Sequence, residues 1–340
     1  MGTAHSIRPG VTAWLAPHGG WGESNAALVE GHNASLLVDT LWDPPRTSAM
    51  LEGFRATLES APIACVVNTH SDGDHWFGNS LTGGAEIIAT NAAARRMKGH
   101  GPGQMKALAA VSRLFRAMSY APIPRRLHWR IAADYFDGMM RPFDFSNIRR
   151  VLPNSTFSGS RDLEVGGRHL QLIEVGPAHT AGDLIVYLPD DRIAVAGDVL
   201  FFGVTPVLWD GSARNWIRAC ERMLGMRIDT VVPGHGPLTD LAGVDLMRQY
   251  WQFLRYEARK HFEKGHPAAT AALAIARSDE FRKQPFAAWD SPERIMINVH
   301  GIYRRLLRRR HRVGVLERLK LLRLTALIAG EFPDRTAVAE

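Results

Sequence analysis

The sequence predicts an α/β protein with two strand-containing halves that face each other, followed by a helical C-terminal region. Three patterns predict this fold class: short apolar runs separated by Gly, Asn and Pro before residue 90, similar runs between 162 and 233, and a stretch from 240 to about 329 without a strand pattern. The 340 residues are 46% hydrophobic and 22% charged, which is typical of a globular chain and excludes a disordered one. We therefore expect one region over residues 1–240 and a helical extension over 241–340 packed on it.

The first half combines strands with one long helix. Met50, Leu51, Phe54 and Leu58 recur at helical spacing and predict a helix over Arg46–Ser60. A second helix is predicted over Ala92–Lys98. The apolar runs predict strands at Val11–Ala16, Ala26–Val29, Ser35–Val38, Ile63–Asn68 and Glu86–Ala89.

The segment from about 99 to 155 interrupts this alternation. It contains Gly-Pro-Gly and Ala-Pro-Ile-Pro, many aromatic and Met residues, and two helical patterns, Lys106–Ser119 and Trp129–Met139. We interpret it as an insertion. A lid over a pocket and a helical layer that covers a sheet are both compatible with it.

The second half returns to strands. Ala213–Leu224 has a helical pattern. The tail is predicted to form several helices with breaks near Gly265, Ser291 and Gly314. Strands are predicted at Asp162–Val165, Leu170–Glu174, Leu184–Leu188, Ile193–Ala196 and Thr230–Pro233.

Several classes of protein are excluded by composition. The sequence has no run of about 18 apolar residues that could span a membrane, and its first residues lack a signal-peptide pattern. The two cysteines, Cys65 and Cys220, stand far apart outside any C-x-x-C motif, so a disulfide framework is excluded and a cytoplasmic setting is expected.

One polar cluster stands out directly after the Ile63–Asn68 strand. His70, Asp72, Asp74 and His75 lie within six residues, at a position where a loop turns its side chains toward one point. So many imidazoles and carboxylates would repel one another or lack partners unless a cation lay among them. The cluster favours a metal site, and the alternative is an exposed polar turn.

Three further loops each place one ligand-type side chain after an apolar run. His179 lies in Gly-Pro-Ala-His-Thr-Ala-Gly-Asp, and Asp198 ends Val-Ala-Gly-Asp. His235 lies in Val-Pro-Gly-His-Gly. Each motif alone indicates little more than a turn. Their order along the chain makes the three motifs together a strong indication of a shared site.

In this order and spacing the chain resembles the metallo-β-lactamase superfamily, with its T-H-x-H-x-D-H, G-x-H-T-x-G, G-D and G-H motifs. The resemblance covers residues from about 10 to 240 and implies an αββα sandwich, a catalytic domain with two metals at one edge between its sheets. It further implies that His70 and His179 hold the first metal and that Asp198 bridges both metals. The second metal would be held by Asp74, His75 and His235.

Asp72 stands where the family usually has its second histidine. Two divalent metals are expected, most simply zinc, but a carboxylate is a harder ligand than imidazole and leaves manganese or iron open. Three outcomes are open: two metals with Asp72 as a ligand, one tightly bound metal in the second site, or Asp72 as a base. Asp72 and Asp74 are the candidate catalytic residues. Thr180 and Asp183 could hydrogen-bond the ligands or simply stabilise a turn.

The chemistry implied is attack by a metal-bound hydroxide on an ester, thioester or related acyl bond of a hydrophobic small molecule. Gly73–Asn79 (G-D-H-x-x-G-N) resembles a bacterial branch that includes thioesterase/cyclases of aromatic polyketide pathways, with an acyl carrier protein as possible partner. β-Lactamase, lactonase and phosphodiesterase activities stay open. Aromatic residues that could line the cleft, or simply pack in the core, are Trp14, Trp21, Trp76, Phe77, Phe201, Phe202 and Trp209.

The net charge of +7 is concentrated in the tail, where residues 304–324 hold nine Arg and Lys against one acid, Glu317. The rest of the chain is nearly neutral, so the charge does not indicate an anionic substrate, and nucleic acid is disfavoured. The basic run 304–312 and the apolar stretch 316–328 could bind a membrane surface, an acidic carrier protein or a second subunit. A solvated face of a helix packed on the domain is the simpler interpretation.

Overall fold

Two β-sheets stack face to face, and helices cover both outer faces. The structure is a computed structural model that describes residues 2–17, 20–99, 101–120, 127–308, 314–330 and 332. The first sheet has seven strands in the order β1-β2-β3-β4-β5-β6-β7, and the second has five in the order β12-β11-β10-β9-β8. The predicted αββα class is confirmed.

Chain direction differs across the sheets. β1 to β4 run antiparallel and β4 to β7 run parallel, while in the second sheet only β12 runs parallel to its neighbour β11. The first sheet consists of Thr3–Arg8 (β1), Val11–Leu15 (β2), Ala26–Glu30 (β3), Ser35–Val38 (β4), Ile63–Val67 (β5), Glu86–Thr90 (β6) and Ser155–Phe157 (β7). The second consists of Ser160–Val165 (β8), Arg168–Glu174 (β9), Leu184–Leu188 (β10), Ile193–Phe201 (β11) and Thr230–His235 (β12).

The helices fall into three groups. The first half carries Pro44–Gly53 (α1), Arg55–Ser60 (α2) and Asn91–Gly99 (α3); the insertion carries Pro102–Ser119 (α4) and Leu127–Met140 (α5). The second half and the extension carry Ala213–Leu224 (α6), Leu241–Glu263 (α7), Ala268–Arg277 (α8), Asp279–Arg282 (α9), Ile295–Leu306 (α10) and Val315–Ala329 (α11). Among the described residues, no helix has both the length and the apolar composition needed to cross a membrane.

Successive side chains along a strand face opposite sides of the sheet, and both sides contribute to the core. Leu36 and Val38 of β4 pack between the two sheets, whereas Leu37 packs on the outer face against Met50 and Phe54 near α1. The outer face of the second sheet is covered by α6, α7, α8 and α10 in one continuous apolar cluster. The extension therefore shares its core with the second sheet.

The structure differs from the sequence prediction in three places. The helix predicted over Arg46–Ser60 is two helices, because the chain leaves helical geometry at Phe54 (φ −99°, ψ 1°). β1 was missed because most of its residues are exposed, so it lacks an apolar pattern, and β7 because it has only three residues.

The insertion packs over the loops that follow the first sheet. α4, α5 and the extension helix α11 share an apolar cluster with Trp76 and Phe77, through residues that include Phe136, Leu322 and Ala326. The predicted Ala-Pro-Ile-Pro break at 121–124 and residues 309–312 of the basic run lie outside the described residues.

Candidate metal centre

Seven side chains predicted as ligands meet where strand ends of both sheets come together. His70, Asp72, Asp74 and His75 belong to the loop that follows β5, and His179 to the loop between β9 and β10. Asp198 lies within β11 and His235 ends β12. β5 and β12 run parallel to a neighbouring strand, so their carboxyl ends deliver these loops to one edge.

The β5 loop is held by a buried carboxylate that the sequence analysis did not single out. Asp39 accepts hydrogen bonds from the backbone N–H of Thr69 (2.7 Å) and from its hydroxyl (2.6 Å). It also accepts one from Nδ1 of His75 (2.8 Å). Asp39 is 1% exposed and adopts φ +63° at the end of β4. Its charge thus fixes both the start of the loop and one ligand.

Each of the four imidazoles is oriented through its Nδ1. Since carbonyl and carboxylate oxygens only accept, His75, His179 and His235 must donate from Nδ1 to Asp39, to the Val207 carbonyl (2.5 Å) and to the Glu23 carbonyl (2.9 Å). Nδ1 of His70 lies 3.1 Å from the Thr69 hydroxyl, which itself donates to Asp39. These contacts leave all four Nε2 atoms facing the interior of the cluster, the arrangement typical of metal-bound histidine.

Asp198 lies between these Nε2 atoms and contacts all four. Its Oδ1 is 3.1 Å from Nε2 of His75 and 3.4 Å from that of His235. Its Oδ2 is 3.2 Å from Nε2 of His179 and 3.6 Å from that of His70. One carboxylate oxygen thus serves each pair of imidazoles, which suits a ligand shared by two cations.

Glycines permit this close approach. A Cβ on Gly234 would lie 2.0 Å from Oδ1 of Asp198, and one on Gly197 would lie 2.5 Å from the Thr69 hydroxyl oxygen. Gly197 also adopts φ +49°. The Gly residues of the G-D and G-H motifs therefore make room for the shared carboxylate and the β5 loop.

The donor set fits divalent metal ions. Within the described residues, the buried Nε2 of His70 has no hydrogen-bond partner, and Nε2 of His75 and Oδ1 of Asp198 lie 3.1 Å apart without the geometry of a hydrogen bond. Such a state is costly unless a cation completes it. The ligand atoms form overlapping groups of metal-binding size. We call His70, Asp72 and His179 the first subsite and Asp74, His75 and His235 the second subsite.

Burial and neighbouring charges shift the pKa values of His70 and His179 in opposite directions. Burial and the adjacent His75 lower the pKa of His70 well below its ordinary value, so its Nε2 lone pair is available. Burial acts to lower the pKa of His179 too, but Asp198 and Asp72 outweigh it and raise that pKa to about 10. Protons held between carboxylates in this way are those that a metal ion displaces.

Asp72 lies in the first subsite, with one carboxylate oxygen 3.1 Å from Nε2 of His179. Its side chain is 32% exposed and that of Asp74 is 13% exposed, whereas the other ligands are 8% exposed or less. Desolvation acts to raise the pKa of Asp72, but the hydrogen bond from His179 and the charges of His179, His70 and Arg318 lower it below its usual range. Asp72 and Asp74 thus mark the open side of the centre.

The extension reaches the first subsite through the loop 205–211. Asn298 of α10 accepts from Leu208 N–H (2.8 Å) and donates to the Pro206 carbonyl (2.8 Å), on either side of the Val207 carbonyl that orients His179. Arg305, also on α10, donates to the carbonyls of Asp210 and Gly211. These partners are about ninety residues apart in sequence, so no local pattern could have indicated them.

Thr180 and Asp183 stabilise a turn. Asp183 accepts from the N–H of Ala178 and from the N–H and hydroxyl of Thr180. Of the two alternatives predicted for these residues, the structure shows the turn.

The seven aromatic residues divide between core and centre. Trp14 packs against Phe54 on the outer face of the first sheet, and Trp76 and Phe77 are buried under the insertion. Phe201 stacks on the ring of His235, with centroids 4.8 Å apart. Trp21 and Trp209 are partly exposed and contact each other, with centroids 6.4 Å apart.

Fold and centre together define an αββα protein whose sheet edge carries two adjoining His/Asp groups of metal-binding size that share the Asp198 carboxylate. The sequence profile of the metallo-beta-lactamase superfamily matches residues 19–90 and 107–235, more than half of the chain, and the chain belongs to that superfamily. The resemblance inferred from the motifs is confirmed.

One curated relative is the 2,4-dinitroanisole O-demethylase subunit alpha of Nocardioides sp. (strain JS1661). It is 23% identical over 253 residues, which are 74% of this chain and 60% of that protein. This chain therefore spans less than two thirds of that relative.

Solved structures share the fold. The inverting sec-alkylsulfatase Pisa1 from Pseudomonas sp. superposes with a TM-score of 0.66 at 18% identity, over 90% of this chain and 50% of that one. The metallo-beta-lactamase FIM-1 from Pseudomonas aeruginosa, in its mono-zinc form, gives 0.52 at 21% identity, over 74% of this chain and 95% of that one.

Proposed function

We propose that this chain is a metal-dependent hydrolase that cleaves an ester, thioester or related acyl bond in a hydrophobic small molecule. The observation that carries the proposal is the convergence of four buried imidazole Nε2 atoms on the Asp198 carboxylate, with Nε2 of His70 left without a hydrogen-bond partner among the described residues. Divalent metals held by the two subsites would lower the pKa of a water molecule toward neutrality and polarise the substrate oxygen.

The protein's own groups would position the reacting molecules. Asp72 and Asp74 are the most exposed of the ligand side chains, so we assign them the orientation of the attacking water. The buried Asp198 keeps the subsites at a fixed separation. Asp39 and the carbonyls of Val207 and Glu23 keep the imidazole rings aligned.

A small apolar substrate is favoured by the surroundings of the centre. Trp21 and Trp209 are partly exposed and can contact an apolar body. The relatives reported above are named as an alkylsulfatase and an O-demethylase, which are activities on small organic molecules. A carrier-bound acyl chain is the alternative substrate and belongs in the same screen.

Metal dependence is tested by comparing two histidine variants. His75→Ala removes a ligand of the second subsite, and we expect it to lose bound metal and hydrolytic activity together. His169→Ala is the matched control, because His169 lies at the surface and pairs only with the exposed Asp162. Metal analysis of the purified protein, followed by chelation and re-addition, measures the effect. Full activity in metal-free protein would overturn the proposal.

A substrate panel then identifies the bond that is cleaved. It should contain naphthyl esters, thioesters free and carrier-bound, lactones, β-lactams, alkyl sulfates and phosphodiesters. We expect turnover of acyl or related esters with apolar groups. Selective turnover of phosphodiesters would contradict the assignment of substrate class while leaving metal dependence intact.

A further inference from the structure

One cation of the basic tail lies beside the loop that contacts the first subsite. Arg318 of α11 has its guanidinium carbon 5.0 Å from the ring centroid of Trp209 and one nitrogen 3.6 Å from Oδ2 of Asp210. The sequence predicts that the positive charge of the tail lies apart from the catalytic region. Arg318 does not follow this prediction, because α11 folds back over the insertion and the loop 205–211.

The position of Asp210 ties Arg318 to the first subsite. The backbone N–H of Asp210 donates to the carbonyl of His179 at 3.4 Å, so the loop that carries Arg318's partner contacts a metal ligand directly. Both Arg318 and Asp72 keep about a third of their side-chain surface exposed, at 31% and 32%.

Arg318 is not neutralised by this loop. The same oxygen of Asp210 also pairs with Arg96 at 3.3 Å, so two guanidinium groups share one carboxylate oxygen. Within the described residues, the Arg318 guanidinium forms no hydrogen bond, and 3.6 Å exceeds hydrogen-bond length. The guanidinium is therefore held only loosely by Asp210 and is available to a second anionic partner.

An apolar surface adjoins the charge. Trp209 contacts Trp21, and the guanidinium carbon of the buried Arg294 lies 4.3 Å from the centroid of the Trp21 ring. The indole N–H of Trp21 donates to the Tyr135 hydroxyl at 2.9 Å. This hydrogen bond and the contact with Arg294 hold the Trp21 ring in place. The partly exposed faces of the two tryptophans thus form a rigid apolar patch with Arg318 at its edge.

We propose that Arg318 binds an anionic group of the substrate while Trp21 and Trp209 contact its apolar body, so that the preferred substrate is an amphiphilic anion. This inference rests on the proposed hydrolytic function for its reaction but not for its binding. It also makes the C-terminal extension part of the substrate site. The anionic group could be a carboxylate or a sulfate-type group, since a guanidinium binds either in a bidentate manner.

Binding of non-hydrolysable probes tests the proposal without turnover. Equilibrium dialysis of the metal-loaded protein would compare naphthoate, naphthalenesulfonate and the neutral naphthylmethanol, which share one apolar body. We expect Arg318→Ala to weaken binding of an anionic probe by about tenfold and to leave naphthylmethanol within about twofold, with Arg318→Lys in between. Whichever anion shows the larger loss identifies the group that Arg318 recognises.

The matched control is Lys320→Ala, which removes an exposed cation two residues away on the same helix. It should leave all three affinities unchanged. An equal loss for the neutral and anionic probes, or losses no larger than those of Lys320→Ala, would overturn the proposal. Charge-selective binding in a protein that hydrolyses nothing would sustain this inference and refute the proposed function, so the two are tested separately.

Discussion

The two metal subsites are supported by different parts of the chain. In the second subsite, His75 donates to Asp39 and His235 donates to the Glu23 carbonyl, and both supports lie in the first forty residues. In the first subsite, His179 donates to the Val207 carbonyl, and the extension holds the loop that carries Val207.

The difference concerns the supporting groups and not the ligands, since the ligands of both subsites lie within the region that matches the superfamily profile. The groups that support the second subsite lie in that region too, whereas Asn298 and Arg305 lie in the extension. The first subsite is supported in addition by hydrogen bonds between α10 and the loop 205–211. We therefore expect changes in the extension to weaken one metal selectively, whereas changes at Asp39 should affect both.

Asp39→Asn should have the largest effect. The amide cannot satisfy all three donors that converge on Asp39, and it removes the charge that orients His75 directly and His70 through Thr69. Loss of such a supporting group typically costs up to about 100-fold in metal affinity, and we expect both metals to be affected. Metal content at a series of buffered free-metal concentrations would show it. The exposed Asp162→Asn serves as control, and loss confined to one metal would contradict the role assigned to Asp39.

Asn298→Ala should weaken only the first subsite. Its amide group bridges Leu208 N–H and the Pro206 carbonyl and also donates to the Tyr250 hydroxyl, all in the buried core. We expect about tenfold weaker binding of one metal and a free energy of unfolding lower by about 1–3 kcal/mol from the unpaired groups. Metal titration and chemical denaturation measure the two effects, with exposed Gln249→Ala as control. Equal weakening of both metals would remove the distinction between the subsites.

The extent of sequence-based prediction follows the same division. The ligands are predictable because they lie in polar motifs at or shortly after apolar runs, and the order of the motifs indicates a shared site. Asp39 directly follows a strand, β4, so its position carries the same signal. Asn298 and Arg305 carried no such signal, since they lie in ordinary helical sequence and their partners are fixed only by tertiary packing.

Arg305→Ala should have a smaller effect in the same direction. Its guanidinium donates to the carbonyls of Asp210 and Gly211 from an exposed position, so each bond is partly replaceable by water. We expect a loss of about 0.5–1.5 kcal/mol in unfolding free energy and a severalfold weaker first-subsite metal. Thermal denaturation with and without added metal separates the two contributions. The exposed Arg214→Ala on α6 is the control, and an effect on the second-subsite metal would contradict the prediction.

Asp72→His should change stability least and metal preference most visibly. Asp72 lies on the open side with a 32% exposed side chain, so a larger imidazole can be accommodated, and we expect unfolding free energy to change by no more than about 0.5 kcal/mol. With Asp74 and Asp198 as the remaining carboxylates, two divalent metals would leave the centre with one more positive charge than in the native protein. The softer, neutral ligand should shift the bound metal toward zinc and away from manganese or iron. Competition between zinc and manganese, read by metal analysis, tests this.

An unchanged metal ratio together with an unchanged pH–rate profile would show that Asp72 is not a ligand. The first subsite would then consist of His70, His179 and Asp198 alone.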